Sequence, residues 1–200
     1  MRKAAWGLFL MAGVCAGAVG EANAGVKVTV KTTDYVIVGK TGEVLLAAMD
    51  RRGPKHGLLT RAIAQTRYSV AWKMQWGETR SACRVKMADA TLTITYTYPR
   101  VDGPVSADMR RKWAKFMSGV VKHEEMHGLI ARAMVNEAER SVSKLSIRND
   151  PGCRKSRKEV KRRIDATYAK FEKRQVSFDD KEHRGGGPVE GLIGALTRRG

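Results

Sequence analysis

Apolar and polar positions alternate along the first half of the chain and switch to a helical period in the second. Val26, Val28 and Val30 share one side of an extended segment, with Lys27, Thr29 and Lys31 on the other, the two-residue period of a strand. Tyr35-Val36-Ile37-Val38 is a short apolar run closed by Gly39. Thr41 then stands at the N-cap of a helix reaching about Arg51, which Gly53-Pro54 stops. Two longer strands follow. Tyr68, Val70, Trp72, Met74 and Trp76 share a face in the first; in the second, Leu92, Ile94, Tyr96 and Tyr98 oppose Thr91, Thr93, Thr95 and Thr97. The spacing predicts a turn or bulge at Met87-Ala88-Asp89-Ala90 and an end at Pro99.

From Ser106 onward the recurrence is three to four residues. Ser106 is a good N-cap, with Asp108 in the first turn. Trp113, Phe116, Val120, His127, Ile130, Met134, Ala138, Val142 and Leu145 form one stripe. A straight helix over 106–145 would be about 60 Å long, against a radius of gyration of about 16 Å for a domain of this size. A bend or break is therefore expected, at Gly119 or Gly128. Asn149-Asp150-Pro151-Gly152 is a turn, and a second helix carries Val160, Ile164, Tyr168 and Phe171 on its apolar stripe. The segment from Gly185 to Gly200 opens on glycines and reads as a flexible tail. Strands followed by helices predict an α+β fold: an antiparallel sheet in the N-terminal half packed against a helical C-terminal half.

The first 24 residues are an address rather than a structural element. Arg2 and Lys3 precede an apolar run from Ala4 to Val19, and Ala22-Asn23-Ala24 is a small-x-small site, so a secretory signal peptide is cut after Ala24. The run falls short of the roughly 20 residues that span a bilayer, and no later segment is a transmembrane candidate. Residues 25–184 are then one domain, with 185–200 as the tail, in the periplasm or outside the cell. Cys15 leaves with the signal, so Cys83 and Cys153 form the expected disulfide in an oxidising compartment.

His123-Glu124-Glu125-Met126-His127 carries the chemistry. Two histidines at i and i+4 project from one helix face and can bind the same zinc ion, while Glu124 on the neighbouring edge can act as general base toward a zinc-activated water. The pair lies on the apolar stripe between Val120 and Ile130, where an unpartnered imidazole is costly to bury. A catalytic zinc needs a third protein ligand. The metzincin extension is excluded because its third ligand would fall on Ala133. Glu137 and Glu139 are ten and twelve residues beyond His127, about 15–18 Å along a helix and out of reach. His183, delivered by a returning antiparallel helix, is the expected third ligand, and His56 is the alternative.

The chain resembles a family of predicted secreted zinc-dependent proteases of bacteria, also catalogued as a domain of unknown function. The resemblance runs over most of the mature chain. Its residues are Tyr35 to Gly39 with Thr41 and Glu43, Gly53-Pro54, Thr66, Trp72, Cys83, Pro99, Trp113, Phe116 and His123-Glu124 with His127. The segment Phe178-Asp179-Asp180-Lys181-Glu182-His183-Arg184-Gly185 looks like a divergent form of the family's closing Tyr-Asp-x-x-Thr-x-His-Gly. Phe replaces Tyr, Glu182 stands nearest the Thr, and Arg184 separates the His from its Gly. The resemblance implies a zinc-dependent peptidase with a zincin-like domain, acting on peptide or protein substrates.

Charge adds a second feature. The formal net charge is +18, and Lys144, Arg148, Arg154, Lys155, Arg157, Lys158, Lys161, Arg162 and Arg163 cluster around the start of the second helix. Such a face suits an anionic cell-envelope surface. No nucleic-acid motif accompanies it, so nucleic acid is not an expected partner. Two functions are therefore in view: an exported zinc metallopeptidase, and a non-catalytic, zinc-stabilised envelope-binding protein, which would have no use for Glu124.

Overall fold

The computed structural model describes residues 25–56 and 60–198, with the backbone alone at His56. The expected signal segment, with its expected cleavage site at Ala24, lies outside the described residues. The elements run β1 (Val26–Ile37), α1 (Gly42–Arg52), β2 (Lys55–His56), β3 (Thr60–Arg61), β4 (Gln65–Glu78), β5 (Ala82–Val101), α2 (Ala107–Val142), β6 (Ser146–Arg148), a single 3-10 turn at Pro151–Cys153, α3 (Arg154–His183) and α4 (Pro188–Thr197). The sheet in the first half and the helices in the second make an α+β fold. Among the described residues no helix is long and apolar enough to cross a membrane.

The main sheet has the order β1-β5-β4, with β6 pairing on the start of β5. It is mixed rather than antiparallel as expected. β4 and β5 form an antiparallel hairpin, but β1 pairs parallel to β5, with Val26 opposite Ala90 and Ile37 opposite Val101. Alternation assigns side chains to faces and carries no strand direction; here α1 and the β2–β3 ribbon keep the chain at the end where β1 stops, β4 runs back from there, and β5 then runs parallel to β1. β5 also passes unbroken through Met87–Ala90. The irregularity is a bulge one residue earlier: Gln75 faces Met87 and Trp76 faces Val85, leaving Lys86 as the extra residue. Nor does Pro99 end the strand. β4 pairs no farther than Thr97, so Pro99 lies where one side of β5 already lacks a partner and its missing N–H costs little.

One face of the sheet is covered by α2, which is capped as expected, the Ser106 hydroxyl accepting from Met109 N at 3.1 Å. α2 is not broken at either glycine. Its 36 residues run about 54 Å and bury Phe116 and Val120 in one apolar cluster, Ile130, Met134 and Val135 in a second, and Val142 in a third. The expectation of a break assumed a near-spherical domain. A β5 strand of 20 residues is about 66 Å long and supports the helix. The two glycines serve close approach. A Cβ at Gly119 would lie 2.4 Å from Leu192 Cδ1, and one at Gly128 would lie 2.0 Å from Tyr96 Oη.

Gly128→Ala is consequently expected to destabilise. Helix propensity would favour alanine by about 1 kcal/mol, but Tyr96 is only 8% exposed and overpacking a closed site costs about 1–3 kcal/mol. The loss should shrink in a Tyr96→Phe background. Chemical denaturation of the four proteins measures it, and an unchanged midpoint for Gly128→Ala alone would contradict the packing argument.

The segment expected to be a flexible tail contains α4. Leu196 is 1% exposed and sits in the cluster with Leu45, Met49 and Phe116, while Lys112 Nζ donates to the Arg198 carbonyl at 3.0 Å. The glycines at 185–187 form a turn, with Gly186 at φ 75°, that brings α4 back onto α1 and α2. The folded unit thus extends past residue 184.

Cys83, at the start of β5, is bonded to Cys153, in the turn before α3, across 70 residues. Reduction, or Cys83→Ser with Cys153→Ser, is expected to remove about 2–4 kcal/mol of stability. Denaturation with and without reductant tests this, and identical curves would contradict it.

Candidate metal centre

α3 runs antiparallel to α2. Lys170 Nζ meets Glu137 Oε1 at 2.8 Å, Gln175 meets His127, and Asp179 meets both His123 and His127. The apolar stripe of α3 reaches Phe171 and then continues in steps of four as Gln175, Asp179 and His183. That continuation puts three polar groups on the face that meets His123, Glu124 and His127.

The donor atoms of this cluster are close together. His123 Nε2 and His127 Nε2 are 3.2 Å apart. Asp179 Oδ1 is 2.9 Å from His127 Nε2 and 3.3 Å from His123 Nε2. His183 Nε2 lies 4.0 Å from Asp179 Oδ1, and donor atoms of His123, Asp179 and His183 all fall within 4.8 Å of one another. The structure thus brings His183 to His123 and His127, and adds Asp179. His56 lies in β2, and its side chain is outside the described residues.

Gln175 holds His127, while one ring nitrogen of His123 is left without a partner. His127 Nδ1 donates to Gln175 Oε1 at 2.6 Å, and Gln175 Nε2 donates back to the His127 carbonyl at 3.1 Å. In the neutral ring this leaves the Nε2 lone pair directed at the cluster. His123 Nδ1 is buried without a hydrogen-bond partner; the nearest carboxylate is Glu182, with Oε2 at 3.7 Å. The Phe178 ring covers both imidazoles, 5.0 Å from His123 and 5.1 Å from His127 between centroids. Burial lowers the His127 pKa, but hydrogen bonds to Asp179 and Gln175 outweigh it and the net shift is upward. Burial likewise raises Asp179, yet His123 and His127 hold its carboxyl well below the usual carboxylate range.

Glu124 is 6% exposed. Thr66 Oγ1, on β4, lies 2.5 Å from Glu124 Oε2 and 3.1 Å from its backbone carbonyl, donating to one at a time. Thr66, Glu124, His123, His127, Asp179 and His183 line one cavity of about 1000 Å³.

This geometry suits a cation. With the His127 Nδ1 proton committed to Gln175, the 2.9 Å between Nε2 and the Asp179 carboxylate oxygen requires a positive charge, which either a second ring proton or a bound cation supplies. Tetrahedral zinc with bonds of about 2.0–2.2 Å separates its ligand atoms by roughly 3.3–3.6 Å. The sides of the His123, His127, Asp179 triangle are 3.2, 2.9 and 3.3 Å, at or somewhat below that range.

The reading from sequence placed His123, Glu124, His127 and His183 but missed Asp179, Gln175 and the Thr66 contact. The four-residue steps from Phe171 to His183 were the available signal: a polar continuation of an apolar stripe, with the spacing that already marked His123 and His127. Thr66 sits on a strand far from Glu124 in sequence, and no local pattern links them.

No curated protein and no solved structure matches the chain. The family described as "Bacterial protein of unknown function (DUF922)" matches residues 32–187, a stretch that contains β4, β5, α2 and every group of the cluster, and the chain belongs to that family.

Proposed function

We propose that the protein is an exported zinc-dependent hydrolase of peptide bonds, as implied by the likeness to predicted secreted zinc proteases. The observation that carries the reading is the triangle of His123 Nε2, His127 Nε2 and Asp179 Oδ1 beside a buried, held Glu124 in the same cavity. His123, His127 and Asp179 would hold the metal. This assigns the third position to Asp179, and places His183 next to the open side of the site as an imidazole donor to the substrate carbonyl. Bound zinc would supply Lewis acidity, polarising a carbonyl and acidifying water at the site.

The remaining steps belong to the chain. Thr66 occupies Glu124 Oε2, so Oε1 is the oxygen that takes the proton from the attacking water and passes it to the leaving amine. Gln175 keeps His127 in the tautomer that leaves Nε2 free. Phe178 keeps water from one side of the imidazoles.

A non-catalytic, zinc-stabilised envelope protein is the second reading. It is favoured by the presence of a fourth donor, His183, because four protein ligands close a zinc site. The held Glu124 favours the enzyme. The signal segment supports a periplasmic or secreted location. The exposed basic residues at the start of α3, several of them in surface pairs such as Arg162 with Glu159, support attraction to an anionic envelope surface. The test is zinc content of the purified mature chain together with hydrolysis of a broad peptide library. Zinc without hydrolysis of any peptide, cell-wall peptides included, supports the second reading.

A further inference from the structure

The cavity extends well beyond the polar cluster. Its other half is walled by Leu46 of α1, Phe116 and Val120 of α2, and Leu192 and Ile193 of α4. Val120 and Phe116 precede His123 by three and seven residues on the same helix, about 5 and 10 Å along its axis. The apolar wall therefore begins one turn from the candidate ligands. α4 is anchored by buried Leu196, while Leu192 and Ile193, one turn back, are only partly buried and keep apolar surface open to the cavity.

We infer that this apolar half is a substrate subsite for one large aliphatic or aromatic side chain, positioned within a residue of the bond that reacts. The inference rests on the hydrolase reading for the reaction but not for the pocket. Pockets that hold small molecules are concave, mostly apolar and carry a few convergent polar groups at one end. This cavity has that layout, with the polar end supplied by Glu124 and the metal cluster. Charged Asp50, Arg61, Glu172, Asp180 and Arg184 also line it and are all exposed residues, while Leu46, Phe116, Val120, Leu192 and Ile193 give the wall before His123 its apolar character. Full burial of a leucine side chain favours binding by about 10–100-fold over glycine.

The test uses the full mature chain and two probes. Leucine hydroxamate and glycine hydroxamate, which chelate metal equally, are compared by calorimetry on zinc-loaded protein. A ratio of about 10–100 in favour of leucine is expected, falling to a few-fold when the pocket is filled by Leu46→Trp or Ile193→Trp. Two variants on different helices are used so that misfolding of one, seen by circular dichroism, leaves the other to be read. The neutral fluorophore N-phenyl-1-naphthylamine is titrated in parallel, with and without chelator; it should bind wild type, lose at least about tenfold in affinity in the filled variants, and be displaced by leucine hydroxamate from the zinc-loaded protein. A leucine-to-glycine ratio near one, or fluorophore binding unchanged by both substitutions, overturns the subsite. Failure of both hydroxamates to bind the zinc-loaded protein overturns the open-site hydrolase reading instead, since a zinc site closed by four protein ligands leaves no position for a chelator, and the fluorophore then decides the pocket alone. Displacement of the fluorophore by a fatty acid and not by leucine hydroxamate would reassign the pocket to acyl chains and overturn the peptide side-chain subsite.

Discussion

Glu124→Gln is expected to reduce peptide hydrolysis by about 10²–10⁴-fold, the usual contribution of a positioned general base, with zinc content and fold retained. The substitution keeps the shape of a side chain that is 6% exposed and keeps an oxygen able to accept from Thr66 Oγ1. What it removes is the second oxygen's ability to take a proton. Loss of rate with unchanged zinc is the signature of a base, whereas loss of both would make Glu124 a structural prop. Thr66→Val should weaken hydrolysis less, since the carboxylate remains and only the contact at 2.5 Å is lost. Rates on a broad peptide library, with elemental analysis of each variant, measure all of this. A Glu124→Gln protein as fast as wild type would refute the assignment.

The second large effect concerns the ligands. Wild type is expected to hold one zinc, and Asp179→Ala to lose affinity by more than the roughly 10–100-fold that follows loss of an outer partner of a ligand. His183→Ala should keep the metal and lose rate. Asp179 Oδ1 is within 3.3 Å of both imidazole nitrogens, while His183 Nε2 is 4.0 Å from that oxygen and its side chain is 54% exposed. Binding to the folded state alone adds about 4 kcal/mol at a thousandfold excess over Kd, so chelation should also lower the melting temperature of wild type and hardly affect Asp179→Ala. Retention of zinc by Asp179→Ala with its loss in His183→Ala would restore the three-histidine set expected from the sequence. Loss in both would mean four ligands, a closed site, and the non-catalytic reading.

What the residues determined on their own was whatever depends on intervals along the backbone. The Thr41 and Ser106 caps, the alternating faces of β4 and β5, the stripe of α2 and the common face of His123 and His127 each follow from a two-residue or 3.6-residue period, and local sterics set those periods. Cys83 and Cys153 were paired by counting, since the third cysteine, Cys15, falls in the expected signal segment. Tertiary structure alone decided the rest: the parallel direction of β1, the continuity of α2, the helix α4 in place of a tail, and the entry of Asp179 into the cluster. Each of these depends on a surface supplied by residues far away in the chain. α2 continues through two glycines because β5 runs beneath it, α4 packs on α2 because Gly119 leaves room for Leu192, and Asp179 meets His127 because α3 returns antiparallel at one rotation about its axis. A sequence shows which face of a helix is apolar; the packing that selects what that face meets is settled only when the whole core closes.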